Sequence, residues 1–141
     1  MTNYFSGKEE KMNLVFAIDG SESAKRALEV TQKFAKEANA KVHIVTSLLG
    51  GRTSDADSID KATMRLESAK QALDKEGIIC ETHLLVRGLE PGEDIIDFSK
   101  GVNADFIIIG IVKTSRVEKA IMGSTAQYVI LEAPCPVISV K

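Results

Sequence analysis

The sequence lacks any excess of one charge: 18 Lys and Arg stand against 20 Asp and Glu in 141 residues, a formal net charge of -2. The two signs are interspersed along the chain, so no positive field is present to attract a phosphate backbone, and neither DNA nor RNA is an expected partner. Cysteine is scarce. Cys80 and Cys135 lie far apart and outside any CxxC pair. Metal knuckles, redox dithiols and a disulfide framework are therefore not expected, and two reduced structural thiols are. Long apolar runs are missing too, since no stretch reaches the roughly 18 uninterrupted apolar residues of a membrane span. Between Met1 and Met12 the chain carries Lys8, Glu9, Glu10 and Lys11 in place of an apolar export signal. These absences predict a cytoplasmic protein without membrane contact, with a flexible tail over 1–11 and a single domain over 12–141. The 44% of hydrophobic residues suffices for a covered core at this length.

What is present alternates in period. Asn13 to Asp19 is a short apolar run, and Ser21 to Ala38 follows with Ala24, Ala27, Leu28, Thr31, Phe34 and Ala35 at helical spacing. Ser21 is placed to cap that helix, Glu22 to pair with Arg26, and Asn39 to take a left-handed position at its end. Val42 to Leu49 reads as a second strand, and the run from Gly50 to Asp55 as a mobile loop. Ile59, Ala62, Leu66, Ala69 and Leu73 mark one face of a second helix that Gly77 ends. Ile79 to Val86 alternates like an edge strand, Pro91 opens a third helix, and Phe106 to Ile109 reads as a strand covered on both faces. A glycine-bounded loop runs from Gly110 to Gly123, a last helix starts near Ser124, and Pro134 and Pro136 stop it before a final strand, Val137 to Val140. Five strands alternating with four helices predict an α/β fold: a single doubly wound, five-stranded parallel sheet with right-handed crossovers and helices on both faces. Such sheets hold ligands at the carboxyl ends of their strands, which directs attention to the loops after Asp19, Val45 and Ile109.

One of those loops carries a pattern. Gly110-Ile111-Val112-Lys113, nine residues, then Gly123-Ser124-Thr125 gives a strand, a loop and a helix start, with glycines where the backbone leaves the strand and enters the helix. Glycine permits close approach of a ligand to the main chain, the first amides of a helix lack partners, and a serine hydroxyl at the cap adds a donor, so the arrangement suits phosphate. The same residues also serve simply to shape and cap a helix.

Together with the opening strand ending in Ala17-Ile18-Asp19-Gly20-Ser21 and the closing Gly123-Ser124-Thr125-Ala126-Gln127-Tyr128-Val129 and Ala133-Pro134-Cys135-Pro136-Val137, this loop resembles the universal stress protein family. Nucleotide-binding members of that family carry G-x2-G-x9-G-(S/T) after the fourth strand. The resemblance implies an adenine nucleotide alpha hydrolase-like, Rossmann-like fold and a site for ATP, with Mg2+ accompanying the nucleotide. It puts Ala17 beside the base, Asp19 facing the nucleoside, and Ser47 against adenine through its main chain. Ile109 would belong to the nucleotide site, Gly110 would lie near the ribose and α-phosphate, and Gly123, Ser124 and Thr125 around the outer phosphates. It also implies a homodimer formed through strand 137–140, whose edge would otherwise be unpaired. One position departs from the pattern: Lys113 stands where the second glycine belongs. Its side chain either blocks the backbone's approach to the phosphates or, with Arg116 and Lys119 nearby in sequence, offsets their charge.

Other chemistries lack their parts. Asp19-Gly20-Ser21 has no second aspartate two positions on, as phosphatases with a first-strand nucleophile require, and Ala126 replaces the second glycine of a G-x-S-x-G elbow around Ser124. No Walker A sequence occurs. His43 and His83 have no cysteine or acidic residue at ligand spacing in the sequence, so no metal site is expected and both read as structural or solvated. The expected function is therefore a stress-response regulatory module that binds an adenine nucleotide with little or no hydrolysis, because nothing in the loop supplies a general base. Two other readings stay open: a dimeric interaction protein whose site is lost at Lys113, and a slow nucleotide hydrolase.

Overall fold

The computed structural model describes residues 11–19, 21–49, 56–111, 113–114 and 121–141. The expected flexible tail over 1–11, apart from Lys11 itself, and the loop from Gly50 to Asp55 lie outside them, as do Arg116 and Lys119. The elements in order are β1 (Met12–Ala17), α1 (Glu22–Ala38), β2 (Ala40–Ser47), α2 (Ala56–Lys75), β3 (Cys80–Leu85), α3 (Pro91–Gly101), β4 (Phe106–Gly110), β5 (Lys113–Thr114), β6 (Ile121–Met122), α4 (Ser124–Glu132) and β7 (Val137–Val140).

Five strands form one sheet in the order β3-β2-β1-β4-β7, all pairs parallel. Register aligns Ala17 with Val45 on one side and with Ile109 on the other. β1 is central, and its run of apolar residues is what burial on both faces demands. Leu14 and Phe16 point to one face, where they meet Ile44, Ile108, Ala27, Leu66 and Leu73 under α1 and α2. Val15 and Ala17 point to the other, with Val45, Ile107, Ile109, Ile95 and Val129 under α3 and α4. Many of these side chains have no exposed surface, and each such burial contributes about 1.5–3 kcal/mol.

Helix ends follow local chemistry. Asn39 adopts φ 53 and its amide donates to the Ala35 carbonyl. Gly77 takes φ 75, a conformation that side chains resist, to turn α2 toward β3. Pro91 occupies the first turn of α3. Three expectations need correction. Ser21 stands at the N-cap of α1 but makes no capping bond; its hydroxyl meets that of Ser23 at 2.9 Å instead. Glu22 pairs with Lys25 at 3.8 Å, while Arg26 donates to the backbone oxygen of Lys141. The segment from Gly110 to Gly123 is not loop throughout: β5 and β6 pair antiparallel as a two-residue ribbon, Lys113 opposite Met122 and Thr114 opposite Ile121. A pairing that short has no period to reveal it in sequence.

Candidate functional site

The chain winds from β1 outward to β3, then returns to the far side of β1 to lay down β4 and β7. The winding direction therefore reverses between β1 and β4, and the space beyond their carboxyl ends is left open by the diverging connections. A cleft of about 340 Å3 lies there, within the range of roughly 300–1,000 Å3 typical of small-molecule sites. Ala17, Ile109 and Gly110 form its floor, Asp19 and Ser47 its strand-end walls, and Gly123, Ser124 and Thr125 its helix-start wall. All eight are positions that the resemblance put at the site, and the fold brings them to one cleft. Lys113 is placed only through its backbone, next to Met122 and so beside the start of α4.

Four further lining residues escaped the sequence reading: Ile18, Pro91, Ile95 and Ala126. Pro91 and Ile95 come from the N-terminal half of α3, which borders the cleft. Their apolar signal reads as core, and only the fold shows that part of it faces a ligand-sized space.

Each functional side chain is held by a local device. Asp19 is exposed, and its Oδ1 accepts the Ser21 amide at 3.0 Å, an Asx turn that carries the chain from β1 toward α1. Thr46 donates its hydroxyl to the Ile18 carbonyl at 3.0 Å, tying the ends of β1 and β2 together. Ser47 donates its hydroxyl at 3.0 Å to Oδ2 of Asp94, which has no exposed surface. Arg87 grips the opposite oxygen of the same carboxylate, with Nε at 2.7 Å from Oδ1. This Arg87-Asp94-Ser47 chain lies just behind the cleft and was not expected, because its members are 40 and 7 residues apart in sequence and none belongs to the glycine pattern.

The two glycines of the pattern turn out to have different reasons. A Cβ at Gly110 would stand 2.7 Å from Ser23 Oγ and 3.2 Å from the Ser23 backbone, so the close packing of β4 on α1 demands glycine whether or not a ligand binds. Gly123 has φ -63 and ψ 154, an ordinary extended conformation, and among the described residues nothing lies within 4 Å of the position its Cβ would take. Neither backbone nor packing requires glycine there. Gly123 rather than Ser124 is the N-cap of α4, which corrects the expected serine cap, and no side chain caps the helix. The first amides of α4 are thus left to face the cleft, and its first turn carries no acidic residue that would repel an anion.

Elsewhere, Cys80 and Cys135 are free thiols, and burial pushes the Cys80 thiol up to about 11. The two histidines, read in the sequence as structural or solvated, stand together: parallel pairing of β2 with β3 brings their ring nitrogens to 3.2 Å.

Comparison with known proteins agrees with the geometry. Residues 12–141 match the model of the Universal stress protein family. The universal stress protein encoded in the QAH/OAS sulfhydrylase 3' region of Thermus aquaticus is 31% identical over 134 residues, covering 91% of this chain and 97% of that one. A universal stress protein structure from Archaeoglobus fulgidus superimposes with a TM-score of 0.83 at 42% identity, covering 92% and 93% of the two chains. A second from that organism, in complex with dAMP, gives a TM-score of 0.79 at 40% identity over 92% and 98%.

Proposed function

The chain belongs to the universal stress protein family, and from that premise we propose that its cleft binds an adenine nucleotide, ATP in particular, as a cytoplasmic regulatory module with little or no hydrolysis. The observation that carries this reading is Gly123: a glycine that neither conformation nor packing requires stands before an uncapped helix whose amides face the cleft. Close approach of a ligand phosphate to those amides is a use for the vacant Cβ position. The A. fulgidus protein crystallised with dAMP shares 40% of this sequence, and adenine with one phosphate is common to dAMP and ATP.

The outer phosphates would lie along Gly123, Ser124 and Thr125. Mg2+ would arrive as the counterion of those phosphates, for which the oxygens of Asp19, Ser124 and Thr125 are suitable hard donors. Asp19 is the one carboxylate among the described lining residues, and its Oδ1 already accepts the Ser21 amide. No histidine stands beside it among the described lining residues, which supports a reading of binding with little or no turnover. The ribbon puts the Lys113 backbone opposite Met122, the residue before Gly123, and in this reading the charge of the lysine does for the phosphates what a glycine does by close approach.

Calorimetric titration with Mg-ATP tests both layers. The expected result is one ATP per chain, with affinity falling at least about fivefold in Lys113→Gly, or about 1 kcal/mol. Absence of binding to the wild-type chain, with no nucleotide recovered from the denatured protein, would replace this reading with that of an interaction module whose site is lost. Unchanged or tighter binding in Lys113→Gly would remove the lysine from the site.

A further inference from the structure

Away from the cleft, on the same face of the sheet but toward the strands' amino ends, three side chains from two adjacent strands converge. His43 lies on β2, and Glu81 and His83 lie on the edge strand β3. Register pairs His43 directly with Glu81 and Val45 with His83. His43 Nδ1 is 3.2 Å from His83 Nε2, and Glu81 Oε1 is 3.5 Å from His83 Nε2 and 4.0 Å from His43 Nδ1. The other face of the cluster is walled by Phe98 of α3, whose ring centroid is 4.6 Å from that of His83 and 5.8 Å from that of His43.

The donor atoms make this more than a hydrogen-bonded pair. His43 Nε2 faces Asn13 Oδ1 at 3.4 Å, and an amide oxygen only accepts, so the His43 proton belongs on Nε2 and Nδ1 presents a lone pair to the cluster. Glu81 Oε1 is likewise an acceptor. A proton on His83 Nε2 satisfies at most one of these two at full strength. A cation at the centre satisfies all three. We propose that His43 Nδ1, His83 Nε2 and Glu81 Oε1 form a binding site for a divalent transition ion of the zinc class, with water completing its coordination.

Geometry and chemistry select that class. A tetrahedral zinc holds ligand atoms at about 2.0–2.1 Å, which sets neighbouring donors about 3.3 Å apart. The nitrogen pair already has that spacing, and the carboxylate oxygen needs only small side-chain rotation to reach it, which its half-exposed position on an edge strand permits. Two imidazoles and one carboxylate suit zinc, cobalt or nickel, whereas magnesium and calcium prefer oxygen alone. Lys41 binds the far oxygen, Oε2, at 2.7 Å and so aims Oε1 at the histidines; Asn13 does the same for His43. Both act as outer partners that orient a ligand. β3 is an edge strand of the sheet and the side chains of His83 and Glu81 are partly exposed, which gives the ion an entry path and leaves room for water. Four residues of strand separate His43 from Ser47, about 13 Å, so the site is distinct from the cleft.

The test is titration of the full, tag-free, chelator-treated chain with Co2+, read by visible absorption, followed by displacement with Zn2+. The expected result is one Co2+ per chain with tetrahedral bands, loss of those bands on adding one Zn2+, and affinity at least about tenfold weaker in both His83→Gln and Glu81→Gln. Both positions are on the edge strand with partly exposed side chains, and circular dichroism of the metal-free variants verifies that they fold. Zn2+ should also raise the melting temperature of the wild-type chain and not that of His83→Gln. No stoichiometric band in the wild-type chain, or undiminished binding in His83→Gln, would overturn the assignment and leave a His-His hydrogen bond.

Discussion

The glycines at 110 and 123 look alike in the sequence pattern and are unlike in the molecule. Gly110 answers to packing, since any Cβ would press on Ser23. At Gly123 nothing among the described residues lies within 4 Å of the Cβ position, which leaves room for the phosphate of the proposed nucleotide. Gly123→Ala should therefore keep its stability within about 1 kcal/mol by denaturant titration, as expected for an alanine at an ordinary extended N-cap, while ATP affinity measured by calorimetry falls at least about tenfold. Equal affinity in the variant would detach Gly123 from phosphate binding. Lys113 is the converse case: its departure from the family pattern is plain in the sequence, and what the fold adds is a backbone position opposite Met122. Nothing in the order of residues could supply that, because β5 and β6 are too short to leave a periodic trace.

At the level of elements, α3 is the piece whose role was least visible. Ile95, Phe98 and Val102 share one face at helical spacing in the sequence, and all three pack into the core on that side of the sheet. Hidden from the sequence was its second task. Asp94, fully buried on that helix, joins Arg87 to Ser47, and a buried carboxylate is stable only when its oxygens are occupied in this way. Asp94→Ala should cost about 1–3 kcal/mol in urea unfolding. The lower part of that range is favoured because Arg87 is partly exposed and has Asp97 at 3.3 Å as an alternative partner. The same variant should weaken ATP binding by freeing the wall that carries Ser47. A stability loss with affinity unchanged would show that Asp94 supports the fold and not the cleft.

For the whole molecule, the open edges of the sheet decide what it can assemble with. β7 bonds to β4 through Pro136 and Val140, whose carbonyls accept the amides of Ile107 and Ile111 at 3.1 and 2.7 Å. In a parallel ladder alternate residues face alternate neighbours, so Val137 and Ser139 turn their backbone groups outward. The homodimer expected through strand 137–140 would use those groups. Ser139→Pro removes one outward amide and leaves the inward ladder intact, so light scattering should show the assembly shift from dimer to monomer with the melting temperature of the fold nearly kept; a dimer that persists would place the contact elsewhere. Among the described residues no helix is long and apolar enough to cross a membrane, in line with the absence of apolar runs. The five strands of the parallel sheet and its four helices were legible in the chain, because apolar period and helix ends are local and survive without coordinates, whereas the eight lining residues of the cleft came from the family resemblance. Which distant side chains meet came from the fold: Arg87 with Asp94 and Ser47, and His43 with Glu81 and His83. Parallel pairing joins strands through long crossovers, so neighbours across the sheet lie some 40 residues apart in the chain, and no spacing read along the sequence records their contact.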